Sequence, residues 1–493
     1  MPAKNIMIQG TMSNVGKSLL CAALCRILRR DGFRCAPFKS QNMALNSGVT
    51  PDGLEMGRAQ ILQAQAAGVL PDVRMNPVLL KPTSDHRSQV IVNGEVLGEY
   101  SAREYFAMKK ELLPGILRSY DSLAKEYDVI VIEGAGSPAE INLKEDDIVN
   151  MGLAKLVDAP VLLVGDIDPG GVFAQLYGTV KLLEAHERSR IRGLLINKFR
   201  GDVTLLTPGL SMLEEKLDIP VLGVIPYLRL ELDAEDSMSD TLSRRSHDKP
   251  ADIAIIRFPR ISNFTDFDPL FPHPMLGVRY VQEAGQLGSP DLIILPGTKS
   301  TLSDLRWLQE SGLAQKILAA QRRGTYILGI CGGYQMLGEY LSDPDGTESE
   351  GAIFQVPGLG LLPVSTIFRQ NKTRRLVRGT IREGYLSGVS VHGYEIHTGQ
   401  TLEGADPETI PVTARGNVCG TYLHGLFDSG EAVDRLADLL ARKKGLPQCT
   451  CHSQDRKLVS QQQLDLLADT CRSHMDLERI YGIIETWRSA ETV

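Results

Sequence analysis

The apolar residues of this chain fall into short, mostly unbroken runs separated by longer stretches of mixed polarity. Asn5–Gln9, Cys35–Lys39, Val129–Glu133, Val161–Gly165, Gly193–Asn197 and Val221–Ile225 read as strands. Continuous rather than alternating runs fit parallel strands covered on both faces. Helical stretches lie between several of them. Ser101-Ala102-Arg103-Glu104 is a capping-box candidate that opens an amphipathic segment towards Tyr127. Strand alternating with helix predicts a doubly wound parallel α/β sheet. From Asp233 to Asp252 the apolar period stops and Ser, Asp, Arg and Lys take over, as in a linker or exposed loop. Strands resume at Ile253–Phe258, Leu292–Leu295 and Tyr326–Gly329, and helical stretches close the chain around Gln461–Ala468 and Leu477–Arg488. The expected organisation is an α/β domain over 1–232, a linker over 233–250, a second α/β domain over 251–440 and a helical tail over 441–493.

Composition narrows the class. With 493 residues, 43% hydrophobic and 23% charged, the chain is long enough for two or three globular domains and unlike a disordered tail, a collagen-like fibre or a small disulfide scaffold. A formal net charge of −7 argues against a nucleic-acid binder, and 6% aromatic residues leave little material for base stacking. No apolar run approaches the roughly 20 residues of a membrane helix. No export signal precedes the first strand, so a cytoplasmic protein is expected. The eight cysteines read as free thiols. Cys21 and Cys25 share one helix face, while Cys449-Thr450-Cys451-His452 has no second ligand pair at zinc-ribbon spacing.

The first strand runs into Gly10-Thr11-Met12-Ser13-Asn14-Val15-Gly16-Lys17-Ser18 and then the apolar-periodic Leu19–Leu28. Strand, glycine-bounded loop and helix form a phosphate cradle. Backbone around Gly10, Thr11, Asn14, Val15 and Gly16 surrounds the anion, Lys17 neutralises it, and Ser18 suits Mg²⁺. Five residues separate the glycines instead of the usual four. A purely structural turn is the competing reading, which the placement between strand and helix outweighs. Glu133 ends another strand before Gly134-Ala135-Gly136-Ser137, where a Mg²⁺ ligand is expected, the alternative being a solvated strand-end acid. Lys39 could meet phosphate or an anionic substrate, or be solvated. Asp166 and Asp168 read equally as metal ligands or helix-capping acids.

A second constellation lies downstream. Gly324 to Gly338 reads as strand, sharp turn and helix, with Cys331 between small residues at the turn. That setting would expose the sulfur, with the helix N-terminus favouring its thiolate; on the cysteine alone an ordinary buried Cys in a glycine-rich turn reads equally well, and two further segments break the tie. The turn Pro296-Gly297-Thr298-Lys299 offers N–H groups which, with Gly332 N–H, would form an oxyanion hole. Gly420-Thr421-Tyr422-Leu423-His424-Gly425-Leu426-Phe427 supplies His424 as the base. His392 and His397 compete for that role but their segment fits better as part of a substrate pocket.

The long P-loop, Gly-Thr-x-x-x-Val-Gly-Lys-Ser, resembles dethiobiotin synthetase and its relatives. The set Pro-Gly-Thr, Gly-x-Cys-Gly-Gly-x-Gln and Tyr-x-His-Gly-x-Phe resembles class I glutamine amidotransferase domains, whose fold is flavodoxin-like α/β. Their triad Glu stands two residues after the His, where this chain has Leu426, so Glu395, Asp428 or a backbone carbonyl is left to orient His424. The two halves together, with Gln41–Ser47, Asp52–Gln60, Ser137–Leu143, Asp147–Gly152, Asp166–Phe173 and Arg260–Asp268, resemble the cobyric acid synthase family over essentially the whole chain. Pro169 stands where that family is expected to carry Arg. The resemblance implies ATP- and Mg²⁺-dependent amidation of a corrinoid a,c-diamide with nitrogen from L-glutamine, ammonia passing within the protein. It leaves a homo-oligomer open and implies neither nucleic acid nor membrane as partner. The a,c-diamide synthase of the same pathway is the nearest alternative. A partition-type ATPase switch would need a signature Lys at Thr11, and a catalytically dead glutaminase scaffold would explain the missing triad Glu.

Overall fold

Six apolar runs of the first half become the strands of one sheet, because each is short, continuous and buried from both sides. In the computed structural model, which describes residues 3–83, 87–232, 249–348, 354–401, 410 and 412–487, these strands are β1 (Lys4–Gly10), β2 (Cys35–Phe38), β3 (Val129–Glu133), β4 (Val161–Asp166), β5 (Ile191–Phe199) and β6 (Val221–Pro226). They pair in the order β6-β5-β4-β1-β3-β2, every pair parallel. The register sets Ile8 against Glu133 and Gly10 against Val164, so the carboxyl ends of the central strands share one edge. Helix α1 (Lys17–Arg30) leaves that edge directly after β1, and α2 (Arg58–Ala67) packs against it. In α3 (Ala102–Glu126) the capping box is realised: Glu104 N–H donates to Ser101 Oγ, and Ser101 N–H donates to the Glu104 carboxylate. A smaller sheet of Gln41–Met43, Val78–Pro82, Arg87–Val92 and Glu95–Ser101 branches off after β2.

Packing divides the chain into two units. Met1–Ala44, Leu54–Ser237 and Ser460–Val493 form the first, and Leu45–Gly53 with Met238–Val459 the second. The second unit has its own sheet of β7 (Ala251–Ile256), β8 (Leu276–Val281), β9 (Leu292–Leu295), β10 (Tyr326–Ile330), β11 (Val412–Arg415) and β12 (Val418–Thr421). Its order is β8-β7-β9-β10-β12-β11, parallel except for the antiparallel edge strand β11. This is a flavodoxin-like order. Helix α4 (Gly332–Leu337) starts immediately after β10, and a long hairpin, Ser365–Thr380 with Ser390–Thr401, forms a side sheet.

The end of the chain differs from its reading as a separate tail over 441–493. Helices α5 (Arg456–His474) and α6 (Leu477–Thr486) return to the first unit from residue 460 onwards. Leu464, Leu467, Ala468 and Cys471 share a core with Cys21, Leu24 and Cys25 of α1. Asp465 receives Arg26 and Arg30 at 2.7 and 2.6 Å, and Asp476 N–H donates to Leu222 O at 2.7 Å. Half-exposed ion pairs contribute little, so the apolar seam holds the tail. The linker over 233–250 lies, for residues 233–248, outside the described residues. Among the described residues no helix is long and apolar enough to cross a membrane.

Leu464 is fully buried in that seam. Leu464→Ala should lower the stability of the first unit by about 2–5 kcal/mol, and Leu464→Met by less than about 1.5 kcal/mol. With Trp307 replaced by Phe, urea unfolding followed by the fluorescence of Trp487, which packs on Asp158 of the same unit, reads the difference.

Candidate active site

The phosphate loop of the first unit is shaped by contacts that leave no room for side chains. Asn14 and Gly16 are left-handed, at φ 63° and 94°. A Cβ on Gly10 would fall 2.5 Å from Val15 Cγ2, and one on Gly16 would fall 2.3 Å from Asn197 Nδ2. From β5, Asn197 Nδ2 donates to Val15 O at 2.8 Å and Lys198 Nζ to Asn14 O at 2.6 Å, bracing the loop from outside. Thr11 N–H donates to Val164 O, and its hydroxyl bonds Gln175. Lys17 Nζ arches back to Met12 O at 3.0 Å and Gly136 O at 3.2 Å, so the lysine and the Gly134–Gly136 turn are neighbours. Asn150 holds that turn, accepting from Ala135 N–H and donating to Ala135 O.

Glu133 is the centre of this site. It is buried and accepts from Ser18 Oγ at 2.7 Å, Lys39 Nζ at 2.8 Å and Gln63 Nε2 at 2.6 Å, with Gln60 Nε2 at 3.4 Å. Burial pushes the carboxyl up, but the Lys39 charge and the hydrogen bonds from Lys39, Ser18 and Gln63 outweigh it and hold Glu133 below its ordinary range. Lys39 is therefore drawn into the cluster by its carboxylate. Asp166 and Asp168 receive Lys198 and Arg200 at 2.7 and 2.9 Å. Gln63 Oε1 is buried without a hydrogen-bond partner among the described residues. A hydroxyl, a carboxylate and an unspent amide oxygen form the hard donor set that suits Mg²⁺ alongside phosphate.

In the second unit, Cys331 occupies the turn between β10 and α4 at φ 51°, ψ −110°, a strained conformation for a residue with a side chain. The turn is sharp because its glycines allow backbone contact. A Cβ on Gly333 would meet Leu295 O at 1.9 Å, and one on Gly332 would meet Thr298 Cγ2 at 2.7 Å and Thr298 N at 3.2 Å. Gly297, in the facing turn, lies against the other partner: a Cβ there would be 3.1 Å from His424 Cε1. Cys331, His424 and the turns carrying Gly297 and Gly332 thus come together.

His424 follows β12 and is 1% exposed. Its Nδ1 donates to Asp266 Oδ2 at 2.7 Å, and Asp266 Oδ1 accepts Gly425 N–H at 3.2 Å. Burial disfavours the imidazolium, but Asp266 and the hydrogen-bonded Cys331 side chain outweigh it and raise His424 to about 10. Asp266 thus stands where the sequence reading placed Glu395, Asp428 or a carbonyl as candidates to orient His424. Glu395 is instead engaged by Arg375 at 2.9 Å. Leu426, where the triad Glu would stand, is buried in the core. Asp266 lies within Arg260–Asp268, 158 residues before His424, so local spacing could not point to it; the only signal was that segment's family pattern. Of the competing histidines, His392 is exposed, while His397 stacks on Tyr422 at 3.6 Å, and Tyr422 in turn accepts from Gln335 at 3.3 Å. Cys331 Sγ lies 3.7 Å from Ile396 O of the same segment.

Family models match both units: a CobQ/CobB/MinD/ParA nucleotide binding domain over residues 6–238, and a CobB/CobQ-like glutamine amidotransferase domain over 252–432. The chain is 53% identical to a cobyric acid synthase of Lachnoclostridium phytofermentans, across 98% of this chain and 99% of that one. The chain belongs to the cobyric acid synthase family. Further cobyric acid synthases, from Ruminiclostridium cellulolyticum and Citrobacter koseri, are 52% and 51% identical; each alignment covers 98% of this chain, and 97% and 99% of theirs. Membership makes it a glutamine-hydrolysing, ATP-dependent amide-forming ligase, with a nucleotide-binding half preceding a glutaminase half. Full-length likeness to cobyric acid synthases favours neither the a,c-diamide synthase nor the partition-type switch.

If Asp266 orients the base, Asp266→Asn should lower kcat for glutamine hydrolysis by roughly 10²–10⁴-fold, as loss of a triad acid does elsewhere. Its KM should change little. Asp428→Asn should stay near wild type, and glutamate release under saturating glutamine distinguishes the two.

Proposed function

We propose that the chain converts the b, d, e and g carboxylates of adenosylcobyrinic acid a,c-diamide to amides, forming adenosylcobyric acid. Each amide would consume one ATP and one glutamine. What carries the reaction class is the buried Cys331–His424–Asp266 arrangement on the same chain as a phosphate loop whose Ser18 meets the Glu133 carboxylate. The corrinoid substrate rests on full-length likeness to proteins named cobyric acid synthase.

A carboxylate is a poor electrophile, so its oxygen first takes the γ-phosphoryl group of ATP, releasing ADP. Lys17 and the loop N–H groups bind the phosphates and offset charge on the transferred group. Mg²⁺, held by Ser18 and Glu133, would supply further neutralisation there. In the second unit His424 Nε2 takes the thiol proton as Cys331 attacks the glutamine side-chain amide, and Gly297 and Gly332 N–H groups bind the oxyanion. The proton passes to the departing ammonia, leaving a thioester that water hydrolyses to glutamate. Ammonia then attacks the acyl phosphate, and inorganic phosphate leaves.

Mass spectrometry of the a,c-diamide incubated with protein, ATP, Mg²⁺ and glutamine should show a ladder of four carboxylate-to-amide steps. Two steps on cobyrinic acid and none on the diamide would instead identify the a,c-diamide synthase. Cys331→Ala should abolish the glutamine-dependent ladder yet retain it with ammonium, whereas Glu133→Gln should lose it with either nitrogen source.

A further inference from the structure

Residues Leu45–Gly53 pack within the second unit, although the chain on both sides of them belongs to the first. Ser47 N–H donates to Asn263 Oδ1 at 3.2 Å, and Ser47 O accepts from the Tyr394 hydroxyl at 2.9 Å. Tyr394 stacks on His424 with 5.3 Å between ring centres, and the two residues exchange backbone hydrogen bonds of 3.1 and 2.8 Å. Val49 joins Tyr394 and Ile396 in a small apolar cluster. Asn263 is 3% exposed and left-handed at φ 50°, and its Nδ2 stands 3.4 Å from His424 Nε2.

These partners determine how the Asn263 amide faces. A backbone N–H can only donate, so the atom opposite Ser47 is the oxygen and the NH₂ group faces His424. In the neutral ring, with Nδ1–H directed at Asp266, Nε2 carries the lone pair that accepts the Cys331 proton. An amide N–H aimed at that lone pair competes with the thiol and would oppose the N–H of an imidazolium. Among the described residues, the charged or titratable groups facing the ring are Asp266, Cys331 and the stacked Tyr394, and the first two favour the imidazolium. Asn263 favours the neutral ring.

We propose that Asn263 is a positioning residue that restrains His424, and that Ser47, within Leu45–Gly53, holds its amide in the restraining orientation. The proposal rests on Cys331 as nucleophile and His424 as base.

The test measures glutamate release by the full-length protein with and without ATP and the corrinoid a,c-diamide. In Asn263→Ala the substrate-independent rate should rise roughly 5- to 30-fold, the equivalent of one lost hydrogen bond of about 1–2 kcal/mol. Tyr394→Phe keeps the stacked ring and loses the bond to Ser47, so it should act in the same direction, more weakly. Alkylation at Cys331 by iodoacetamide, followed by peptide mass, should shift to lower pH in Asn263→Ala; a merely structural role would not move that midpoint. An unchanged or lower substrate-independent rate with an unmoved alkylation profile, in protein that still amidates with ammonium, would overturn the restraint. If Asn263→Ala does not fold, the same readouts on Tyr394→Phe decide the matter. Glutamine hydrolysis persisting in Cys331→Ala would overturn the reading of the site itself, and the restraint with it.

Discussion

Both reactive centres depend on neighbouring atoms closing onto bare glycine backbone at the carboxyl edge of a parallel sheet. A parallel strand that turns directly into a helix aims its last residues and the helix's first N–H groups at one point, but only if the turn carries no side chains in the way. In the first unit the absent Cβ atoms of Gly10 and Gly16 admit Val15 and Asn197. In the second, the bare α-carbons of Gly332 and Gly333 admit Thr298 and Leu295. Lys17 and Cys331 owe their positions to the same constraint, although one handles phosphate and the other an amide.

Each centre also buries charge, which is costly unless every donor and acceptor is met. Glu133 is met by a cation, a hydroxyl and two amides. His424 is met by Asp266 on one face and by Tyr394 through ring and backbone on another. These networks favour the Glu133 carboxylate and the His424 imidazolium despite burial. A reaction that alternately creates and removes charge needs that preparation.

The central strands were legible because burial on both faces leaves an unmistakable apolar run: Val129–Glu133 and Leu292–Leu295 match residue for residue. The hairpin Ser365–Thr380 with Ser390–Thr401 was not, since much of its first strand is half-exposed and polar and carries no clear period. Lys17, Ser18, Glu133, Cys331 and His424 were legible from motifs, which record chemistry that must stay adjacent in sequence. Asp266 was not, because an orienting acid needs proximity only in space, and here it comes from a short 3₁₀ turn with no period of its own. The place of α5 and α6 was hidden for a related reason: an amphipathic helix announces a buried face without naming what covers it.

The return of the last helices to the first unit makes the glutaminase a guest inside its host. The amide-forming half begins at the first residues and is completed only by α5 and α6, so a ribosome must translate the whole second unit before the first can close its core. Cutting the coding sequence between β6 and β7 would not yield two self-sufficient polypeptides, because the closing helices would travel with the wrong one.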